Sequence, residues 1–127
     1  MTLPSDIADK LRLPLISAQM FLVSGPDLVI GACRAGVIGS FPTANCRTLD
    51  ELDVWLGRIA AETGGSAPFA PNLIVHKSNV RLQEDAALVA KHKAPLGIRS
   101  GSRVPLDRRS QRPGLALAPS RPRAHPR

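Results

Sequence analysis

Tyrosine is absent from this chain, and tryptophan and phenylalanine together supply only Trp55, Phe21, Phe41 and Phe69. None of them falls in the arginine-rich last quarter, so that segment has no platform for stacking bases of a single strand. Cysteine is nearly absent too. Cys33 and Cys46 make no CxxC and sit in no Cys/His ligand cluster. That spacing excludes a disulfide framework and a zinc site, and leaves two reduced packing residues. No metal is expected. The sequence also lacks HExxH, a P-loop and a Ser-His-Asp order. Gly31, Gly36 and Gly39 miss the GxGxxG spacing, which removes the main support for a dinucleotide-binding fold. No run approaches the roughly 20 apolar residues of a membrane span. Asp6, Asp9, Lys10 and Arg12 stand where a signal peptide would carry its apolar core. The expectation is a cytoplasmic protein with no membrane partner.

What is present is divided unevenly. The net charge is +7 over 127 residues. Residues 1–95 carry nine Lys/Arg against nine Asp/Glu, whereas residues 96–127 carry eight Arg and one Asp. The whole excess therefore lies at the C-terminal end. A basic arm of this kind could contact phosphates, but without interleaved aromatics a nucleic-acid partner is disfavoured.

Through residue 98 the chain alternates short apolar runs with helical patterns. Leu13 to Ala18 reads as a first strand, buried on both faces. Ser24 with Asp27 has capping-box spacing. In the helix it would open, Leu28, Val29, Ala32 and Cys33 recur on one face and Gly36 closes the end. Val37 to Phe41 is a second strand. Thr48 with Glu51 forms a second capping box, before a helix with Leu49, Leu52, Trp55, Leu56 and Ile59 inward, ended by Gly64-Gly65-Ser66. Phe69 to Val75 is a third strand. Its helix starts near Ser78 or Asn79, with Leu82, Ala86 and Val89 inward and Glu84, Asp85 and Lys91 outward. Lys93 to Ile98 begins a fourth strand. So regular an alternation predicts a parallel sheet. From Arg99 onward, five prolines and eight arginines leave no period of 2 or 3.6. That segment predicts disorder, since it has too little apolar surface to offset its ordering entropy.

In parallel α/β sheets, ligands gather at the carboxyl ends of the strands, which selects three places. Ala18-Gln19-Met20 lets a flat ligand approach the backbone. Gly39-Ser40 ends the second strand. Asn72 places an amide, donor and acceptor at once, inside an apolar strand. The bland reading of Asn72 is a side chain paired to neighbouring backbone, and that of Met20 is a core residue. His76 and Lys77 follow the third strand, but His76 has no carboxylate nearby in sequence and reads as a loop residue rather than a base. His92 lies on a polar helix end.

Three segments, Leu13-Pro14-Leu15-Ile16-Ser17-Ala18-Gln19-Met20, Ala35-Gly36-Val37-Ile38-Gly39-Ser40-Phe41-Pro42-Thr43 and Pro71-Asn72-Leu73-Ile74-Val75-His76, together resemble the nitronate monooxygenases, formerly called 2-nitropropane dioxygenases. The resemblance spans residues 11–95. It implies a (β/α)8 TIM barrel binding FMN at its C-terminal mouth and oxidising alkyl nitronates with O2 to a carbonyl compound and nitrite. It also implies that Ala18, Gln19 and Met20 lie against the flavin and that Asn72 binds FMN. Two positions depart from the family pattern. Gln19 stands where the family has Pro, and Pro71 stands where it has an apolar, β-favouring residue.

The phosphate-binding glycines and catalytic His that the resemblance implies belong to later units, so no catalytic residue is assigned in this chain. A complete barrel takes about 250 residues. Residues 1–98 supply about three βα units plus a fourth strand, a partial barrel. Residues 99–127 resemble GC-rich coding sequence read out of frame. The expectation is an N-terminal fragment, inactive alone, retaining little FMN and exposing unpaired strand edges. A fragment of a related flavin-dependent enoyl reductase or dehydrogenase is the alternative enzyme. A small α/β domain with a basic nucleic-acid-binding tail is the non-enzymatic one.

Overall fold

A computed structural model describes residues 3–101. After a single helical turn, α1 (Ser5–Ala8), the chain runs through α2 (Pro26–Arg34), β1 (Gly39–Pro42), a 3₁₀ turn (Thr43–Asn45), α3 (Leu49–Glu62), β2 (Phe69–Val75), α4 (Leu82–Lys91) and β3 (Ile98–Gly101). The three strands form one sheet in the order β1-β2-β3, with both neighbouring pairs parallel. Each parallel step is bridged by a helix, as parallel strands require.

α2 starts at Pro26, where a missing N–H costs nothing, and Gly25 is its N-cap. The expected Ser24–Asp27 capping box does not form, because Ser24 is engaged elsewhere. Gly36 ends the helix at φ 87°, a left-handed value that an L-residue adopts at a cost. The buried stripe is Val29, Ile30 and Cys33, while Leu28, expected inward, is 43% exposed. α2 lies so close to β1 that a Cβ at Gly39 would sit 2.5 Å from the Val29 carbonyl oxygen. α3 has its expected start: Thr48 Oγ1 accepts the Glu51 N–H at 3.1 Å. The return bond shifts by one residue, with Glu51 Oε2 accepting the Arg47 N–H at 2.7 Å.

Leu52, Leu56 and Ile59 of α3 are fully buried and form one core with Val29, Ile30, Cys33, Phe41, Cys46 and Phe69. Each such aliphatic side chain contributes about 1.5–3 kcal/mol on burial. Trp55 meets Phe41 at a ring separation of 5.8 Å and an interplanar angle of 54°, a favourable tilted aromatic pair. Successive strand residues face opposite ways. With Phe41 and Phe69 turned to the helices, Ser40, Ala70, Asn72 and Ile74 line the other face. The pairs Asn72↔Ile98 and Ile74↔Ser100 put Ile98 and Ser100 on that face too.

Besides the Ser24 cap, Leu28 and a helix α4 that starts at Leu82 rather than near Ser78 or Asn79, three sequence expectations need correcting. First, Leu13–Ala18 is not a continuous strand: it makes one isolated parallel bridge, Ile16↔Ile38, to the residue before β1. Leu15 N–H bonds back to Leu13 O at 2.8 Å, a tight turn centred on Pro14 whose fixed φ suits it. Pairing resumes afterwards, with Ile38 N–H on Leu15 O and Ser17 N–H on Ile38 O. Leu13, Leu15 and Ile16 are each more than half exposed rather than covered on both faces. Second, Asp85 is 2% exposed rather than outward, because its carboxylate receives Arg81 Nη2 at 3.0 Å. Third, the fourth strand begins only at Ile98. Helix α4 ends in a turn with Lys93 at φ 50°. Arg99, Ser100 and Gly101, assigned by composition to the tail, pair with Leu73, Ile74 and Val75. Ladder pairing uses backbone groups and needs no side-chain period. The disorder expected further on concerns residues 102–127, outside the described residues.

Candidate functional site

Of the three places selected from sequence, Ala18–Met20 follows the Ile16↔Ile38 bridge, whereas Gly39-Ser40 opens β1 instead of ending it and Asn72 is the middle residue of β2. Ser17 and Ser40 tie the first two together. Ser17 Oγ accepts the Ser40 N–H at 3.0 Å, and Ser40 Oγ donates to Ser17 O. Beyond Ser17 the chain makes a turn, residues 18–24, clasped from inside by Ser24. Its Oγ donates to Ala18 O at 3.1 Å and accepts the Met20 N–H at 2.9 Å. Met20 O in turn accepts the N–H groups of Val23 and Ser24. Ser24, fully buried, therefore shapes the loop instead of capping α2.

Asn72 is 5% exposed and lies on the sheet face opposite the helices. Its Nδ2 donates to Ser100 Oγ at 3.0 Å, which turns the amide toward β3. Its Oδ1 is buried with no partner, and so is Oε1 of Gln19. Two unsatisfied carbonyl oxygens thus fall on two of the four residues assigned to the flavin. Ala18 and Met20 are exposed at this end, Met20 by 42%, so neither is a core residue. Pro71, which brings no N–H to the ladder, stands one residue before the β2–β3 pairing begins at Asn72↔Ile98.

Cavities open at both ends of the sheet. One of about 280 Å³ lies at the carboxyl end, between the 3₁₀ turn and the start of α4, lined by Thr43, Ala44, Ile74, Ser78, Asn79, Arg81 and Asp85. Another, about 230 Å³, lies at the opposite end among Asp6, Lys10, Gly64, Gly65, His92 and Lys93. Neither cavity is lined by Ala18, Gln19, Met20 or Asn72.

His76 is exposed. Its Nδ1 pairs with Ser78 Oγ at 2.8 Å, and among the described residues no carboxylate is bonded to it. His92 Nε2 meets Asp53 Oδ1 at 2.6 Å and ties α4 to α3. This hydrogen bond, followed by that from Lys91, holds the Asp53 carboxyl below its ordinary range. Cys33 and Cys46 are free and buried. Burial, with the Glu51 charge adding to it, pushes the Cys46 thiol up to about 12, while burial raises Cys33. Neither is an activated nucleophile. No group of His, Cys, Asp and Glu among the described residues could hold a metal ion. No helix there is long and apolar enough to cross a membrane.

Sequence reasoning missed Asn45 and Arg81. Asn45, 9% exposed, accepts the Leu22 N–H on Oδ1 at 2.9 Å and donates from Nδ2 to Met20 O at 3.2 Å and Ser24 O at 2.9 Å. Arg81 Nη1 donates to Cys46 O and Arg47 O, at 2.9 and 3.0 Å. Both bind loop backbone more than twenty residues away, a relation that local spacing does not express.

Neither a protein-family model nor a curated protein matches the sequence. In fold, the chain is similar to the solved structure of a FabK point mutant from Thermotoga maritima, with a TM-score of 0.62 and 18% identity. The match covers 80% of this chain and 33% of that one, so the chain spans a third of the length of the protein it matches. With its parallel strands and outer helices, the chain has the architecture of part of a (β/α)8 barrel.

Proposed function

We propose that this chain forms the first flavin-facing edge of an FMN-dependent barrel oxidoreductase of the nitronate monooxygenase type. The observation that carries this reading is the pair of buried carbonyl oxygens without partners, Gln19 Oε1 and Asn72 Oδ1. An unpaired buried acceptor costs about 1–3 kcal/mol. FMN offers matching donors in its ring N3–H and its ribityl hydroxyls, so the residues present fit the group. When bound, FMN supplies the electron transfer between nitronate and oxygen. The chain's own part is to present the backbone of Ala18, Gln19 and Met20 to the ring and the Asn72 amide, oriented by Ser100, to a donor. No residue of this chain is assigned the catalytic proton transfer.

The test is titration of FMN with the purified chain, read by flavin fluorescence. Weak, saturable quenching is expected, with the flavin lost on gel filtration, and Asn72→Leu should weaken it by about tenfold. No quenching by the unsubstituted chain, or identical titrations for both, would overturn the reading. A second reading keeps the barrel and the flavin but makes the reaction that of an enoyl reductase or dehydrogenase; the likeness in fold to FabK favours keeping it. In the complete barrel, flavin reduction by a nicotinamide rather than by a nitronate would separate the two. The arginine-rich segment on which a nucleic-acid partner depended lies, apart from its start at residues 96–101, outside the described residues.

A further inference from the structure

We infer that Asn45 is a positioning residue for the flavin-facing turn, and that flavin affinity depends on it although it lies in a different loop. The inference rests on the flavin reading above. In the turn itself, Met20, Phe21, Leu22 and Val23 are 42%, 64%, 74% and 62% exposed. Apolar packing therefore does not hold its shape, and polar contacts must. Leu22 also sits at φ 62°, a left-handed conformation unfavourable for leucine that persists only where neighbouring groups impose it.

One side chain from outside the turn imposes it. Asn45 Oδ1 receives the N–H of Leu22, the strained residue itself, and Nδ2 grips the carbonyls of Met20 and Ser24 on either side. A single amide thus fixes the middle and both flanks of a turn more than twenty residues upstream. Aspartate could supply the acceptor but neither donor, and serine is too short to span all three groups. Asn45 is anchored in turn. The 3₁₀ turn carrying it is closed by Cys46 N–H on Thr43 O. Its far side is pinned by Arg81, which donates to Cys46 O and Arg47 O while paired to the buried Asp85. The conformation that sets Ala18, Gln19 and Met20 at the mouth is thereby referred to β1, α3 and α4, not to the first segment alone.

The test combines amide hydrogen exchange of the flavin-free chain with FMN titration, for the unsubstituted chain, Asn45→Ala and Asn45→Asp. In Asn45→Ala, the Leu22 and Met20 amides should exchange at least about tenfold faster, while the Leu56 and Ile59 amides of α3 keep their protection. FMN affinity should fall by a similar factor. Asn45→Asp, of nearly the same shape, should retain protection at Leu22, whose acceptor survives, and still lose FMN affinity. Unchanged exchange at Leu22 and Met20 overturns the inference. So does loss of protection in α3 in step with the turn, which would make Asn45 a general support of the fold. If the unsubstituted chain does not quench FMN, the flavin reading fails, and exchange alone decides whether Asn45 holds the turn.

Discussion

Ser24 and Asn45 are residues of the kind that cap helices and close turns, and both are committed to one loop. At Ser24 the local spacing to Asp27 favours a cap, yet the hydroxyl bonds Ala18 and Met20 instead. Two bonds from the buried Ser24 hydroxyl to the turn outweigh one at a helix start, where Gly25 serves without a side chain. Asn72 was legible for a different reason: a polar side chain in an apolar strand demands a partner wherever the strand goes. Asp85 was not, because helical periodicity puts it outward and only its pairing with Arg81 draws it in. Asp85→Asn is expected to cost about 1–3 kcal/mol in a urea titration, since the guanidinium loses its carboxylate while remaining largely buried. The cysteines give a pH dependence. A thiol whose folded value is raised contributes stability that is intact below its unfolded value, about 8.5. That stability drains away as pH rises toward about 12. The urea midpoint should therefore fall between about pH 9 and 11, and fall less steeply in Cys46→Ala. A flat midpoint in the parent chain would count against burial as the cause.

The elements were legible where sequence carried both period and punctuation. β2 runs from Phe69 to Val75 and α3 from Leu49 to Glu62, each bounded by the residues that announce it. Thr48→Ala should cost about 1 kcal/mol through the lost cap, and Leu56→Ala about 2–5 kcal/mol through a cavity in the core. Ser24→Ala makes the contrasting case. It should leave α2 helicity by circular dichroism unchanged while loosening the turn before it; a loss of helicity would restore Ser24 as a cap. The first segment departs from its pattern because burial on two faces requires cover on both, and among the described residues its one bridge is to Ile38, just before β1. Pro14 then converts the uncovered start into a tight turn.

For the whole molecule, alternation of strand and helix was enough to infer a parallel sheet, and the resemblance to a flavin-binding family supplied the barrel. Among the described residues the sheet is open at both sides, at Leu13–Ser17 and at β3. Open edges with half-exposed Leu13, Leu15 and Ile16 favour association. Light scattering should rise with concentration, and the pair Leu13→Lys with Leu15→Lys should lower it. Unchanged scattering would place the sticky surface elsewhere.

The strand order has a kinetic consequence. β1, β2 and β3 stand side by side in the order in which they are made, so each new strand finds its neighbour already present on the chain. No element waits for a distant partner, and loop closure at each step spans one helix. During synthesis the sheet can lengthen strand by strand as the polypeptide emerges. The Leu13–Ser17 segment follows the same order: made before β1, it pairs when Ile38 and Ser40 follow it out.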